Sequence, residues 1–201
     1  MKKICIFLFL FISSFSYAQK DIVEKIVHLR QLVNSVGTTK EALSLVKQIE
    51  NHYLESNNDT IKAIFLELKG QALLNNEQYE ECIPICKEAI TLFATINLRQ
   101  YEYLDAWYII ATALHRLKDY TNAERFYRKA LLHSVAAKVE NVEHYRSNLY
   151  LNLGNLYKKQ GDSLLAEECF RRVVENSEIE TIDIDKWNYI EDENQTLKKN
   201  K

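Results

Sequence analysis

Hydrophobic residues recur every three or four positions along most of the chain, and polar residues fill the places between them. From Asp21 to Val36 the apolar positions are Ile22, Ile26, Leu29, Val33 and Val36. This spacing puts them on one face of an α-helix. Short polar segments interrupt the pattern, and the chain holds only four Gly and one Pro. The pattern therefore predicts an all-α protein of successive helices, each with one buried face.

The helical pattern itself repeats along the chain. One small residue recurs at spacings of 40, 41 and 43 residues, as Ala42, Cys82, Ala123 and Ala166. Four places after each of these stand Val46, Cys86, Tyr127 and Phe170. A second small position holds Gly70, Ala111 and Gly154, where two helices of a hairpin must approach closely, but Arg30 occupies it in the first repeat. The recurrence predicts four units of two helices each.

The fourth unit carries the clearest motif. It contains an aromatic residue, a Leu-Gly pair, a tyrosine, a turn glycine, an alanine and a second aromatic: Tyr150, Leu153, Gly154, Tyr157, Gly161, Ala166 and Phe170. This arrangement resembles a tetratricopeptide repeat, a helix-turn-helix unit of about 34 residues. The resemblance covers roughly residues 23 to 180. The longer spacing resembles long-helix repeats of this family, such as those of kinesin light chain.

The resemblance implies a right-handed superhelical solenoid of about four helix-turn-helix repeats with a C-terminal capping helix. The repeat domain is predicted over 19–180, with repeats at about 23–59, 60–99, 100–140 and 141–178. Residues 181–201 are predicted to form the capping helix and a tail, because the last unit of a solenoid needs a polar outer side.

The N-terminus predicts an export signal. Lys2 and Lys3 precede an apolar run from Ile4 to Ile12, and Ser16-Tyr17-Ala18 offers small residues for cleavage. Residues 1–18 are thus predicted to be a signal peptide that is removed, since the run is shorter than the roughly 20 residues of a membrane-spanning helix. The alternative is an uncleaved anchor. We expect an exported protein, and the sequence leaves periplasm and extracellular space open.

The charge balance limits the partners. The full chain has a formal net charge of −2. Removal of Lys2 and Lys3 with the leader leaves 24 basic residues of the original 26 against 28 acidic ones, a formal charge of −4. A mildly acidic protein is not expected to bind nucleic acid or an anionic membrane as its main partner, and no membrane insertion is expected after cleavage.

Three cysteines remain after Cys5 is removed with the leader. Cys82 and Cys86 fall on two predicted core positions of one helix, and Cys169 lies beside Phe170. We expect all three to be buried as small hydrophobic residues. A two-cysteine metal site is the alternative, but such sites usually take four ligands, and no CxxC or HxxxH pair is nearby. No metal or other cofactor is expected.

The family resemblance implies a binding groove along the first helices of the repeats, where extended peptides bind. Its candidate residues are Gln71, Asn75, Tyr108, Thr112, His115, Asn148, Asn152, Asn155 and Lys159. Side-chain amides offer both a donor and an acceptor to a peptide backbone. The alternative is an ordinary solvated helix face. The family's basic clamp for a peptide carboxylate is missing, since Glu67 and Asp105 stand in or near its places.

The resemblance implies a non-catalytic scaffold that binds a protein or peptide. No catalytic residues are expected, because none of the five histidines stands in a nucleophile, zinc or phosphate motif. An enzyme is therefore not expected. The alternative function is a sensor or accessory module of a bacterial signalling system, either stand-alone or truncated from a longer regulator. The partner, the binding face and the oligomeric state stay open.

Overall fold

A computed structural model describes residues 21–54, 58–96, 103–136 and 142–175. The predicted signal peptide, 1–18, and the predicted capping segment, 181–201, lie outside the described residues. Within those residues no helix is both long and apolar enough to cross a membrane.

Every regular element in the described part of the chain is an α-helix. The helices are α1 (21–33), α2 (Thr39–Leu54), α3 (Asp59–Asn75), α4 (Tyr79–Thr95), α5 (Leu104–Arg116), α6 (Tyr120–Ala136), α7 (Val142–Gln160) and α8 (Ser163–Glu175). From α2 onward each helix packs against the next, and α1 joins α2 through the core of Leu29, Val33, Ala42 and Val46. The first helices also pack across hairpins, α3 against α5 and α5 against α7. The prediction of an all-α helical repeat solenoid is confirmed.

The turn inside each hairpin has one residue with a positive φ, and the four positions follow the sequence period. They are Gly37, Glu77, Lys118 and Gly161. After α5, the N–H of Lys118 donates to the His115 carbonyl and that of Asp119 to the Leu114 carbonyl, which satisfies the last carbonyls of the helix. Because a positive-φ residue recurs at this place, the chain reverses direction at the same point of each hairpin, between its first and second helix.

Aspartates then start the second helices of the last two hairpins. The Asp119 carboxylate accepts the backbone N–H of Asn122 at 3.3 Å, and the Asp162 carboxylate accepts that of Leu165 at 3.1 Å. A side-chain oxygen at this place satisfies a backbone donor that the helix itself cannot pair. Turn and cap together fix where α6 and α8 begin.

The two helices of a hairpin close over small residues and buried thiols. Gly70 on α3 faces Cys86 on α4, so closely that a Cβ atom at residue 70 would clash with the Cys86 sulfur. Cys82, Cys86 and Cys169 are all buried and unbridged. Burial raises the pKa of Cys82 and of Cys169 to about 11. The expectation that the three cysteines serve as core residues is confirmed.

Candidate functional site

A concave pocket of about 240 Å³ lies where the first helices of all four hairpins face one another. Its polar and aromatic lining comes in pairs: Arg30 on α1 with Asn34 just after it, Glu67 and Gln71 from α3, Asp105 and Tyr108 from α5, and Tyr145 and Asn148 from α7. The recurring turns hold these helices side by side, so residues far apart in sequence share one surface.

Three of the predicted groove residues line this pocket. They are Gln71, Tyr108 and Asn148, from three consecutive first helices. The other six predicted residues lie on the same three helices, outside the pocket lining. The assignment of the nine residues to a binding groove stays a prediction.

The amides predicted to bind a peptide backbone also bond within the protein. Asn75 Nδ2 donates to the Val33 carbonyl at 2.7 Å, which ties α3 to α1, and Asn75 Oδ1 accepts Gln71 Nε2 at 2.7 Å. Asn152 Nδ2 donates to the Asn148 carbonyl at 2.8 Å and lies 3.4 Å from the Tyr108 hydroxyl. These amides therefore position the helices, and Asn152 also orients Tyr108.

Thr112 and His115 are half-buried against the second helix of their hairpin. Thr112 Oγ1 accepts the Tyr127 hydroxyl at 3.2 Å. The His115 ring meets the rings of Tyr120 and Tyr127 edge-on, with centroids 5.7 and 6.2 Å away. Burial, with smaller effects of Arg116 and Lys159, lowers the pKa of His115. The imidazole is thus favoured in its neutral form.

Asn155 and Lys159 continue the predicted surface along α7. Both side chains are exposed to solvent. Neither makes a hydrogen bond or ion pair within the described residues, so both are available to a partner.

Two carboxylates and one guanidinium line the pocket. Glu67 is only 6% exposed, and its Oε2 lies 3.7 Å from Nη2 of the half-exposed Arg30. Asp105 opens onto the pocket, but protein surrounds the pocket closely enough that desolvation by burial raises the pKa of Asp105, with Arg30 partly opposing this. Arg30 and Asp105 were absent from the predicted site.

Two sequence signals point to these residues. Arg30 departs from the small residues at its repeat position, and Asp105 stands near the place of a basic clamp residue. Only the folded chain brings both into one pocket with Glu67.

Two tyrosines form the aromatic side of the pocket. Tyr108 and Tyr145 have ring centroids 6.0 Å apart. The Tyr145 hydroxyl donates to the Leu104 carbonyl at 2.6 Å, which joins α7 to α5. Burial, and then the charges of Asp105, Tyr108 and Glu67, raise the pKa of Tyr145 well above its ordinary value. Tyr145 therefore remains a neutral donor, held in place by its hydroxyl.

The described residues contain no group of three or more His, Cys, Asp or Glu side chains placed to hold a metal ion.

Two protein-family models match parts of the chain. One family model described as a tetratricopeptide repeat matches residues 102–179, and a second with the same description matches residues 63–95. Comparison with curated proteins gives no significant match. The family matches span the second, third and fourth hairpins, which together supply most of the pocket.

Proposed function

We propose that this chain is a non-catalytic scaffold that binds a partner protein or peptide along its first helices. The matches to tetratricopeptide repeat models support this proposal. The observation that carries the proposal is the pocket shared by α1, α3, α5 and α7. A surface built from four consecutive hairpins suits an extended segment, because such a segment meets each repeat in turn.

The chemistry of this face supports the same function. Gln71 on α3 and Asn148 and Asn155 on α7 place side-chain amides along the first helices of two of the four hairpins. An amide can donate to a peptide carbonyl and accept from a peptide N–H, whatever side chains the peptide carries. Tyr108 adds an aromatic surface that its contacts with Asn152 and Tyr145 hold in one orientation. A rigid aromatic contact loses little conformational entropy when a partner binds.

We also propose that the protein acts outside the cytoplasm, in the periplasm or secreted, after removal of residues 1–18. The sequence pattern of that segment supports this. Mass spectrometry of the protein isolated from cells expressing the full chain tests it. A mature N-terminus at Gln19 is expected, whereas an intact Met1 in every cell fraction would contradict it.

Affinity capture with matched variants tests the scaffold function. The groove variant carries Asn152→Ala and Asn155→Ala. The control carries Lys87→Ala and Glu88→Ala, two exposed residues of the second helix α4. We expect a protein or peptide that is enriched by the wild type and by the control, but is lost with the groove variant. A melting temperature equal to that of the wild type, measured for both variants, would show that neither pair of substitutions unfolds the protein.

Two results contradict this proposal. Retention of the partner by the groove variant would place the binding surface elsewhere. Absence of any partner that the wild type enriches over an unrelated protein would argue against a scaffold.

A further inference from the structure

The centre of the pocket carries an excess of negative charge. Two carboxylates, Glu67 and Asp105, face one guanidinium, that of Arg30, and within the described residues no other charged side chain lines this pocket. Charges in such a concavity are screened less than charges on a convex surface, because protein replaces part of the surrounding water. The pocket therefore attracts a cation.

Asp105 is the carboxylate that Arg30 influences only from beyond ion-pair distance. Glu67 is mostly buried and lies within 4 Å of Arg30, whereas no side chain among the described residues makes an ion pair or hydrogen bond with the Asp105 carboxylate. A carboxylate in partly desolvated surroundings gains most from a cation brought by a ligand, since charge-assisted hydrogen bonds are roughly twice as strong as neutral ones. Asp105 provides that acceptor.

The aromatic side of the pocket favours the same kind of ligand. The rings of Tyr108 and Tyr145 lie beside the carboxylates, and the electron-rich face of a tyrosine attracts cations within about 6 Å. An arginine suits this combination better than a lysine, because its planar guanidinium can stack on a ring and donate two parallel hydrogen bonds to a carboxylate.

The size of the pocket limits what it can hold. Its volume of about 240 Å³ is below the roughly 300–1,000 Å³ typical of sites that enclose a whole small molecule. It is partly open to solvent, and Gln71 and Asn148 are among its lining residues. These dimensions suit one side chain of a peptide whose backbone runs along the groove.

We propose that the pocket between Glu67, Asp105 and Tyr108 receives the guanidinium group of an arginine from the partner segment. This proposal rests on the scaffold function and names the chemistry of its partner. Arg30 occupies the edge of the pocket as an internal cation and competes with the incoming arginine for Glu67. Specificity for a basic segment then comes from Asp105, and Arg30 limits the affinity.

Selection from a library of random 12-residue peptides displayed on phage tests this proposal, with protein purified from cells expressing the full chain. We expect the enriched peptides to share an arginine at one position. Replacement of that arginine by citrulline keeps the shape of the side chain but removes its charge. This replacement is expected to raise the dissociation constant of a synthetic peptide at least tenfold.

Three protein variants complete the test. Asp105→Asn is expected to weaken binding of the arginine peptide at least tenfold. Glu88→Gln, a matched change at an exposed residue of α4, is expected to leave that binding unchanged. Arg30→Gln is expected to strengthen binding about threefold or more, because it removes the competing cation. A merely structural role of Arg30 would give weaker binding instead.

The outcomes separate this proposal from the scaffold function. Enriched peptides without a basic residue, or equal binding of the arginine and citrulline peptides, would overturn the proposal and leave the scaffold function standing. A selection that enriches no peptide would also overturn the proposal, while affinity capture of a native partner decides the scaffold function independently.

Discussion

Gly154 and Phe170 face each other at the closest approach of α7 and α8: a Cβ atom at residue 154 would lie 2.5 Å from Phe170 Cε1. Cβ contacts this short do not occur in folded proteins, so the ring or the helix would have to move. Phe170 on α8 therefore requires a small residue at position 154 on α7.

The first prediction concerns this pair. Gly154→Ala is expected to lower the free energy of unfolding by up to about 2 kcal/mol, because a gain of about 1 kcal/mol in helix propensity offsets only part of an overpacking cost of up to about 3 kcal/mol. Urea unfolding measures the difference. In a Phe170→Leu background the same change is expected to stabilise the protein, since the ring is gone. Destabilisation of equal size in both backgrounds would contradict the steric explanation.

The second prediction concerns the thiols. With a pKa of about 11, Cys82 and Cys169 are deprotonated in only roughly one molecule in a thousand at pH 8, compared with about a quarter for an ordinary cysteine. Both are also buried. Iodoacetamide is therefore expected to react with them at least about a hundredfold more slowly in the folded protein than in urea, as followed by mass spectrometry. Rapid reaction of either thiol without urea would contradict the assigned burial.

The third prediction concerns Asp105. Its pKa is raised in the folded protein, so folding is penalised while the carboxylate is charged. That penalty is present above the folded-state pKa and disappears as the pH falls below the unfolded-state pKa. Asp105→Asn is therefore expected to raise the melting temperature at pH 7 and to lose this advantage at acidic pH. Glu88→Gln serves as the exposed control, and a lower melting temperature of Asp105→Asn at pH 7 would contradict the prediction.

A gain in stability from Asp105→Asn would also bear on function. A residue that costs stability and still opens onto a pocket is typical of binding sites, where function and stability conflict. The expected loss of arginine-peptide binding in the same variant would connect the two effects.

The fourth prediction concerns the end of the solenoid. In the last hairpin the apolar side chains of Leu151, Leu165 and Val174 are exposed, and residues 181–201 are predicted to cover apolar surface there. Deletion of 181–201 is expected to reduce the free energy of unfolding by about 2 kcal/mol, the order of one apolar side chain taken out of water. Urea unfolding is also expected to show a smaller m-value, because less surface becomes exposed.

A shorter deletion provides the control. Removal of 198–201 alone takes away three lysines and one asparagine and is expected to leave the stability unchanged. A full deletion with wild-type stability and m-value would show that 181–201 does not pack on the repeats.

Much of the fold was predictable because the same pattern of small and apolar residues recurs in each hairpin. The positions of Ala42, Cys82, Ala123 and Ala166 recur with the period of the hairpins, and each is buried. Periodicity needs no knowledge of distant contacts, since the helical face follows from local spacing alone. The same logic placed Cys82 and Cys86 in the core, and the general tendency of free cysteines to be buried correctly predicted the burial of Cys169.

The site was predictable only in outline. That a partner binds at the candidate groove residues stays a prediction. The resemblance did place Gln71, Tyr108 and Asn148 on helices that line the pocket. It could not show that Asn75 and Asn152 already bond to neighbouring groups, because such bonds depend on distances between helices. It also missed Arg30 and Tyr145, since their relation to Glu67 and Asp105 joins all four repeats.

The amino-acid sequence by itself determined the helical class, the order of the hairpins and the buried face of each helix, because these follow from the spacing of apolar residues. Only the tertiary structure decided which polar residues meet. Arg30 is 75 residues from Asp105 in the sequence, and both line one pocket because the stacked hairpins bring α1, α3 and α5 together. The excess negative charge of that pocket arises from this stacking, which no local pattern in the sequence encodes.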